Sequence, residues 1–391
     1  MSHPPLQGVR VVELARILAG PWAGQMLADL GADVIKVENP DGGDDTRKWG
    51  PPFVTGQDGE NLSAAYYHSC NRGKRSIAID FSTPEGAETV RKLVATADVL
   101  IENFKLGGLK KYGLDYDSLR KDNPKLVYCS ITGFGQSGPY APRAGYDFIV
   151  QGMSGLMSIT GAPGGEPQKV GVAVTDLFTG LYSVIAIQAA LRHAEATGQG
   201  QHIDMALFDS QIAVLCNQNM NFLVSGTSPV QMGNAHPNIA PYEVVPAADG
   251  HFILAVGNDG QFQKFCKTVG LDALPQDPAF ATNAARVANR VALREKMVAA
   301  LAHLERGPLL AKLDAAGVPA SPINTIGEMF SDPQVAARGM RMDLDDGHGN
   351  ALPSVRSPML LSETPLAYRR ASPRLGEHTQ EILAELEKKK R

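Results

Sequence analysis

Short apolar runs and helical segments alternate along the first half of the chain. The runs predict strands at 9–14, 34–37, 76–81, 98–101, 126–131 and 202–207. Between the first two runs, Gly20 and Pro21 open a helical segment that Gly31 ends, and proline is favoured in the first turn of a helix. Strands that alternate with helices in this way predict an α/β fold, with a parallel sheet covered by helices.

The second half of the chain predicts a smaller, separate unit. A long apolar helix is expected over about 176–194, and a further helix ends near residue 225. Residues 226–248 carry four prolines and are interpreted as an irregular linker, whereas 249–325 combine strand and helix signals. The pattern therefore divides the chain into a large domain over 1–225, a small domain with its linkers over 226–325, and a C-terminal segment over 326–391.

Composition narrows the class of protein. The 391 residues are 43% hydrophobic and 20% charged with a net charge of -4, which excludes a disordered chain and a protein that coats nucleic acid. The four cysteines are far apart, so a reducing compartment fits. With no signal peptide or membrane-spanning run apparent, we expect a cytoplasmic protein without nucleic-acid or membrane partners. The basic end, Lys388 to Arg391, is expected to be a solvated tail.

Three polar segments are candidates for ligand contacts, each with a structural alternative. The turn from Leu18 to Pro21 lacks the GxGxxG pattern and is either a packing turn or a phosphate site at a helix N-terminus. Residues 42–47 form either an exposed loop or a segment that orders over a ligand. Residues 71–75 place three cations in four positions, either as a phosphate site or as a solvated basic turn.

A further candidate for chemistry is Asp176, at the start of the long apolar helix. It is either an acid that complements the helix dipole or a nucleophile toward a thioester, kept ionised by helix-end donors. Gly257 and Gly260 belong to a strand–helix turn that is either a plain turn or a mobile lid. His236 lies in a loop and is either structural or a contact for an anionic substrate. The nine histidines show no metal-ligand spacing, so no metal is expected.

Motifs in one order along nearly the whole chain resemble the family III CoA-transferases, the CaiB/BaiF group. They include 11–21, 30–38, 71–76, 131–139, 145–147 and 375–379. Residues 43–53 and 154–161, together with His236, resemble the branch that uses succinyl-CoA and succinate, hydroxymethylglutarate or other dicarboxylates. The racemases of the same family, the alternative function, carry a histidine where this chain has Tyr146.

The resemblance implies a set of site residues. Asp176 matches the nucleophile that forms a covalent aspartyl intermediate, and the turn at Gly257 and Gly260, with His236, matches a lid and substrate region whose backbone N–H groups would stabilise oxyanions. The implied CoA contacts are Leu18, Ala19, Asn39, Ile79, Ser82, Asn103, Phe104, Lys105, Lys111, Tyr146 and Asp147.

The resemblance also implies an architecture and a set of partners. The fold would be α/β, with a large doubly wound, Rossmann-like domain built from both chain ends and a smaller α/β domain, in an interlocked homodimer. The substrates would be CoA thioesters, with succinyl-CoA as donor and a carboxylic acid as acceptor. No tightly bound cofactor is expected, because transfer conserves the thioester energy.

Overall fold

The computed structural model describes residues 3–388, so most of the basic end lies outside the described residues. Within that range the strands are β1 (Arg10–Glu13), β2 (Asp33–Glu38), β3 (Phe53–Thr55), β4 (Asn61–Ala64), β5 (Arg75–Ala78), β6 (Val99–Glu102), β7 (Val127–Thr132), β8 (His202–Ala206), β9 (Tyr242–Ala247), β10 (Gly250–Ala255), β11 (Ala320–Pro322), β12 (Arg341–Asp345) and β13 (Ala351–Val355).

The helices of the described residues include seven of ten residues or more, and short helices connect many of the strands. In chain order they are α1 (Ala19–Asp29), α2 (Ala65–His68), α3 (Pro84–Val94), α4 (Tyr116–Leu119), α5 (Asp147–Met153), α6 (Leu156–Ile159), α7 (Val174–Thr197), α8 (Leu207–Val214), α9 (Asn217–Ser225), α10 (Asp259–Thr268), α11 (Asn283–Ala288), α12 (Arg290–Leu301), α13 (Arg306–Ala315), α14 (Ile326–Phe330), α15 (Pro333–Ala337) and α16 (Thr379–Lys388).

Six parallel strands form the main sheet, in the order β5-β2-β1-β6-β7-β8. This arrangement confirms the predicted α/β class, and each of the six predicted strands is present to within a few residues. The chain runs from β1 toward one edge through β2 and β5, and then toward the other edge from β6 through β8. In such sheets ligands bind beyond the carboxyl ends of the strands where the direction reverses, which here is between β1 and β6.

Helices cover both faces of this sheet because successive strand residues point to opposite sides. In β1, buried Val11 belongs to a core that includes residues of α1 and α7, and buried Val12 belongs to a core that includes residues of α3 and α16. Apart from buried charges such as Glu13 of β1 and Lys36 of β2, the sheet is therefore apolar on both faces, as expected for parallel strands that are enclosed between helices.

The chain forms two compact units. The first comprises Met1–Leu156, Lys169–Thr227 and Gln334–Arg391, and the second comprises Met157–Gln168 and Ser228–Pro333. The large unit thus contains both chain ends, but its boundaries differ from those expected from the sequence. The segment Met157–Gln168 belongs to the second unit because it is hydrogen-bonded there: the Gly233 N–H donates to Gly161 O at 2.9 Å, and Gln231 Nε2 donates to Thr160 O at 2.9 Å.

The second unit contains an antiparallel sheet in the order β11-β10-β9. The interpretation of 226–248 as a linker is wrong at its end, where β9 pairs with β10. Its Pro246 suggested irregular structure, yet β9 is an edge strand, and an edge strand can place a residue without an N–H toward the unpaired side.

Helix α7 corrects a second expectation. With 24 residues it is, by length and composition, the one helix within residues 3–388 that is long and apolar enough to cross a membrane. The expectation that no segment meets this test is therefore wrong. In the 18-residue stretch of α7 that meets this test 44% of the residues are buried, and the helix packs on α1 and β7. The apolar character of α7 is weak evidence for a membrane span.

Candidate active site

A cavity of about 500 Å³ opens at the carboxyl ends of β1, β6 and β7 in the large unit. Nine of the residues predicted from the sequence line it: Leu18, Ala19, Asn103, Phe104, Lys105, Lys111, Tyr146, Asp147 and Asp176. A cavity of about 240 Å³ adjoins it, since both share Arg16, Phe81 and Phe104 as lining residues. The remaining predicted CoA contacts line this smaller cavity: Asn39, Ile79 and Ser82.

The loops after β1 and β6 are joined by the side chain of Asn103. Its Oδ1 accepts a hydrogen bond from Arg16 N at 2.9 Å, and its Nδ2 donates to Arg16 O at 2.7 Å. The side-chain amide of Asn103 therefore forms the two hydrogen bonds that the backbone of a neighbouring strand would form. It continues the pairing of β1 with β6 beyond the ends of the two strands. Asn103 was predicted to contact CoA, and in this structure its polar atoms position the wall of the cavity.

Two glycines bring the loop before α5 against the end of β7. A Cβ on Gly133 would lie 2.5 Å from the Cα of Gly145, and a Cβ on Gly145 would lie 2.3 Å from the Cα of Gly133. Both neighbours are backbone atoms, so neither position tolerates a side chain without a shift of the chain. This close approach places Tyr146 and Asp147 at the rim of the larger cavity.

Asp147 caps the helix that carries Asp176. Its Oδ1 accepts hydrogen bonds from Thr175 N at 2.8 Å and from Asp176 N at 3.3 Å. Its Oδ2 accepts one from Nε2 of the buried Gln151 at 2.6 Å. The first turn of α7 has no capping side chain of its own, and Asp147 supplies the acceptor from α5 instead. Asp147 is thus a positioning residue for Asp176, a role that the sequence did not indicate.

The electrostatics of Asp176 differ from the sequence expectation. Loss of hydration raises the pKa of the Asp176 carboxyl group to about 7, and the negative charge of Asp147 adds to the increase. The expectation that helix-end donors would keep Asp176 ionised is wrong, because the N–H groups of Thr175 and Asp176 donate to Asp147. In the free enzyme a substantial fraction of Asp176 is therefore protonated near pH 7.

Four exposed cations line the larger cavity, opposite in charge to a phosphorylated ligand. Lys105 and Lys111 were predicted, whereas Arg16 and Arg143 were missed. The guanidinium of Arg143 lies 4.6 Å from the ring centroid of Tyr140, and that of Arg16 pairs with Asp45 at 2.8 Å. The available signal for Arg16 was its place two residues before the turn that begins at Leu18. Together the cations suit an anionic ligand.

Neither interpretation of residues 71–75 is correct. Arg72 forms a buried bidentate pair with Asp29, with Nε–Oδ1 at 2.9 Å. Lys74 is buried against Glu13 at 2.9 Å. Arg75 pairs with carboxylates of β2 and α16, including Glu385 at 2.7 Å. All three cations are paired with carboxylates inside the large unit, so the segment is neither a phosphate site nor a solvated turn.

The remaining predicted residues lie in the second unit. His236 Nδ1 accepts a hydrogen bond from Asn238 N at 3.1 Å, and its ring lies 5.3 Å from that of Tyr242. The Gly257 N–H, a predicted oxyanion donor, donates to Oε1 of Gln261 at 2.7 Å in this structure. Gly257 and Gly260 do not have positive φ, and a Cβ on either would make only ordinary contacts, so the turn itself does not require glycine.

A carboxylate in the wall of a cation-lined cavity, beyond the carboxyl ends of parallel strands, is typical of α/β proteins that bind phosphorylated or nucleotide-containing ligands. The comparison with known families is more specific. Residues 6–379 match CoA-transferase family III, and the chain therefore belongs to that family.

Known proteins are similar over the full chain. The chain is 66% identical to a succinate–glutarate CoA-transferase of Agrobacterium fabrum, over 98% of this chain and 96% of the relative. It is 42% identical to a mouse succinyl-CoA:glutarate CoA-transferase, over 98% of this chain and 87% of the relative. The crystal structure of a CaiB/BaiF family protein from Brucella suis has a TM-score of 0.88 and 60% identity, and the match covers 99% of this chain and all of that one.

Proposed function

We propose that this enzyme transfers CoA from succinyl-CoA to glutarate or a related dicarboxylate through a covalent intermediate on Asp176. The similar relatives are named for succinate or succinyl-CoA and glutarate, and they match this chain over nearly its whole length. The observation that carries the mechanism is the carboxylate of Asp176 in the wall of the cation-lined cavity, on a helix start that Asp147 holds.

The reaction proceeds by exchange of acyl groups on Asp176. A carboxylate oxygen of Asp176 attacks the thioester carbonyl, the C–S bond breaks, and a mixed anhydride and CoA thiolate form. The thiolate attacks the aspartyl carbonyl, which releases succinate and leaves an Asp176–CoA thioester. The acceptor carboxylate attacks this thioester and displaces the thiolate, and the thiolate then attacks the acceptor carbonyl, which restores Asp176. The thioester is conserved, so the reaction needs no ATP and no tightly bound cofactor.

The two adjoining cavities suit a CoA ligand. The larger cavity contains Asp176 together with the cations Arg16, Lys105, Lys111 and Arg143, which suit phosphate groups. The smaller one is lined by apolar side chains, among them Phe81, Phe104 and Ile79, and by polar residues that include Glu38, Asp44 and Asp80. We assign the thioester end of CoA to the region of Asp176, its phosphate groups to the cations of the larger cavity, and the remainder to the shared wall and the smaller cavity.

The racemase alternative is not supported. Its chemistry needs two bases that exchange the proton at the α-carbon, and the position of the racemase histidine is occupied by Tyr146. A tyrosine phenol is a poor replacement for a histidine imidazole as a base in proton exchange. The relatives reported above are also named as CoA-transferases.

The test of the proposed function is CoA exchange from succinyl-CoA to a panel of acids, followed by mass spectrometry of the acyl-CoA products. We expect glutaryl-CoA to form faster than the CoA esters of oxalate, formate or monocarboxylic acids of the same chain length. A preference for formyl-CoA as donor would contradict the substrate assignment and leave the covalent mechanism in place. Incorporation of solvent deuterium at the α-carbon of a 2-methylacyl-CoA, without acyl exchange, would support the racemase instead.

We also infer that the active form is an interlocked homodimer. Large apolar side chains are exposed on α7 and α9: Ile185 is 63% exposed, Leu223 70% and Val224 80%. A soluble monomer rarely exposes so many large apolar side chains, and a second copy would bury them. The interlocking itself rests on the family resemblance. Sedimentation at micromolar concentration should give a dimer, and a stable monomer would contradict this inference.

A cytoplasmic location is proposed on the chemistry of the cysteines. Cys70, Cys129, Cys216 and Cys266 are all unpaired, and three of them are buried. Unpaired thiols of this kind fit a reducing compartment. Free succinyl-CoA, the proposed donor, must be present in the same compartment.

A further inference from the structure

Four charged side chains lie buried beneath the cavity loop that follows β1. Lys36, Lys74, Glu13 and Asp44 are each at most 1% exposed. Lys36 pairs with Glu13 at 3.0 Å and with Asp44 at 2.9 Å, and Lys74 pairs with Glu13 at 2.9 Å. Two positive and two negative charges balance, which lets the group remain buried. A buried ionic group adds little net stability compared with apolar packing, so its presence here calls for another role.

The loop above this group contains a strained residue. Ile17 has φ +73, in the left-handed region that a β-branched residue rarely adopts. The backbone N–H and the carbonyl oxygen of Ile17 both have hydrogen-bond partners. Ile17 N donates to Asp44 Oδ2 at 3.2 Å, and Cys70 Sγ donates to Ile17 O at 3.6 Å. Such strain persists only where the surroundings hold the backbone in place.

The two lysines hold the rest of the same loop. The three N–H donors of Lys36 are used by Glu13, Asp44 and Ala15 O, the last at 2.9 Å. Those of Lys74 are used by Glu13, by Asn71 Oδ1 and, at 2.8 Å, by the carbonyl oxygen of Pro21 in the first turn of α1. The ammonium groups therefore fix the backbone at both ends of the segment that contains Ile17.

Close packing leaves this arrangement little freedom. A Cβ on Gly24 of α1 would lie 1.8 Å from Oε2 of Glu13, so the helix approaches the buried carboxylate as closely as a glycine permits. Neither lysine is exposed to the cavity, and so neither can touch a ligand directly, whereas Asp44 borders the smaller cavity but is only 1% exposed. Arg16, Ile17, Leu18 and Ala19, in contrast, all line the larger cavity.

We propose that Lys36 and Asp44 are positioning residues for CoA binding, which hold the strained backbone of Ala15–Ile17 in the shape that lines the cavity. The identity of the ligand as CoA rests on the proposed function. Without this pair the loop relaxes from the left-handed conformation, and part of the binding energy of CoA is then needed to restore it. We expect CoA binding to weaken about tenfold, because the free-energy cost of one residue in the left-handed conformation corresponds to a change of that size in affinity.

The test uses the full-length enzyme with Lys36→Met and Asp44→Asn combined, which removes both charges and leaves Glu13 paired with Lys74. Calorimetry should show CoA bound about tenfold more weakly, and KM for succinyl-CoA should rise more than kcat falls. Hydrogen exchange, followed in peptides that cover residues 14–22, should become faster at Arg16 and Ile17. Addition of Ile17→Gly should restore CoA binding in part, because glycine adopts positive φ without strain.

Asp29→Asn is the matched control, since it removes a buried carboxylate paired with Arg72 at the far end of α1. It should lower the melting temperature without weakening CoA binding. An equal loss of CoA affinity in this control, or unchanged exchange at residues 15–17 in the combined variant, would overturn the proposal. If the combined variant does not fold, Asp44→Asn alone is measured with the same expectations. A wild-type enzyme that binds no CoA would contradict the proposed function, while the exchange experiment would still decide whether Lys36 and Asp44 position the loop.

Discussion

Asp176→Ala and Asp176→Asn are both expected to abolish CoA transfer, with a loss of at least about 10⁴-fold in kcat. Neither side chain can form an anhydride or a CoA thioester, and no other group can replace the nucleophile of a covalent mechanism. CoA binding should persist, because Asp176 is one residue among many that line the cavity. Steady-state transfer and calorimetry with CoA measure the two effects separately.

Loss of activity in Asp176→Asn should be accompanied by a gain in stability at alkaline pH. The pKa of Asp176 is raised from 3.8 in the unfolded chain to about 7 in the folded protein, so the folded state retains a proton that the unfolded state loses. The wild-type free energy of unfolding therefore falls as pH rises from about 4 to about 7. Asparagine does not titrate, and we expect that variant to be more stable at pH 8 by on the order of 2 kcal/mol, after allowance for the partial exposure of the group.

This stability measurement is the control for the activity result. A variant that is inactive and less stable at every pH would indicate a folding defect instead of the loss of a nucleophile. Substantial residual transfer by Asp176→Ala would contradict the assigned mechanism outright. Denaturant unfolding at pH 5 and pH 8 distinguishes these outcomes, since the difference between asparagine and aspartate should be small at the lower pH and large at the higher one.

Replacement of Asp147 is expected to separate its charge from its hydrogen bonds. Asp147→Asn keeps an acceptor for the N–H groups of Thr175 and Asp176 but removes the like charge. The pKa of Asp176 should then fall, and the acid limb of kcat/KM for succinyl-CoA should move to lower pH. Asp147→Ala also removes the acceptor, so we expect kcat to fall about 100-fold because the start of α7 is no longer held in place.

The pH profile is the measurement that a merely structural role of Asp147 would not change. Asp147→Asn with an unshifted acid limb would contradict the electrostatic coupling to Asp176. Equal effects of alanine and asparagine on kcat at pH 8 would contradict the capping role. Gly171→Ala is a matched control in the loop before α7, because a Cβ there meets nothing within 4 Å, and it should leave both kcat and the pH profile unchanged.

The sheet and its ligand-binding edge were predictable from the sequence because both depend on local pattern. Apolar runs that alternate with helices define a parallel sheet, and the ligand edge of such a sheet follows from its topology. Leu18, Asn103 and Asp176 are far apart in the sequence, and they line one cavity because each follows a strand or begins a helix at this edge. The alternation of strands and helices and the family resemblance both pointed to this edge of the sheet.

The roles of individual polar residues were not predictable, because they depend on partners from distant parts of the chain. Lys74 and Arg75 look like a solvated basic turn until Glu13 and Asp33 are placed beside them by the pairing of strands. Asp147 resembles a ligand contact until the contact between Gly133 and Gly145 brings it to the start of α7. Composition and spacing carry no information about such tertiary pairs.

The most direct test of the central claim, that Asp176 carries the CoA group, is to trap the intermediate. Wild-type enzyme is incubated with succinyl-CoA in the absence of an acceptor acid, reduced with borohydride and digested. Mass spectrometry should then show that the peptide containing Thr175, Asp176 and Leu177 has lost mass at position 176, where the thioester carbonyl has become an alcohol, and Asp176→Asn should show no change. Reduction at any other carboxylate, or succinyl-CoA turnover with no reducible intermediate, would contradict the account.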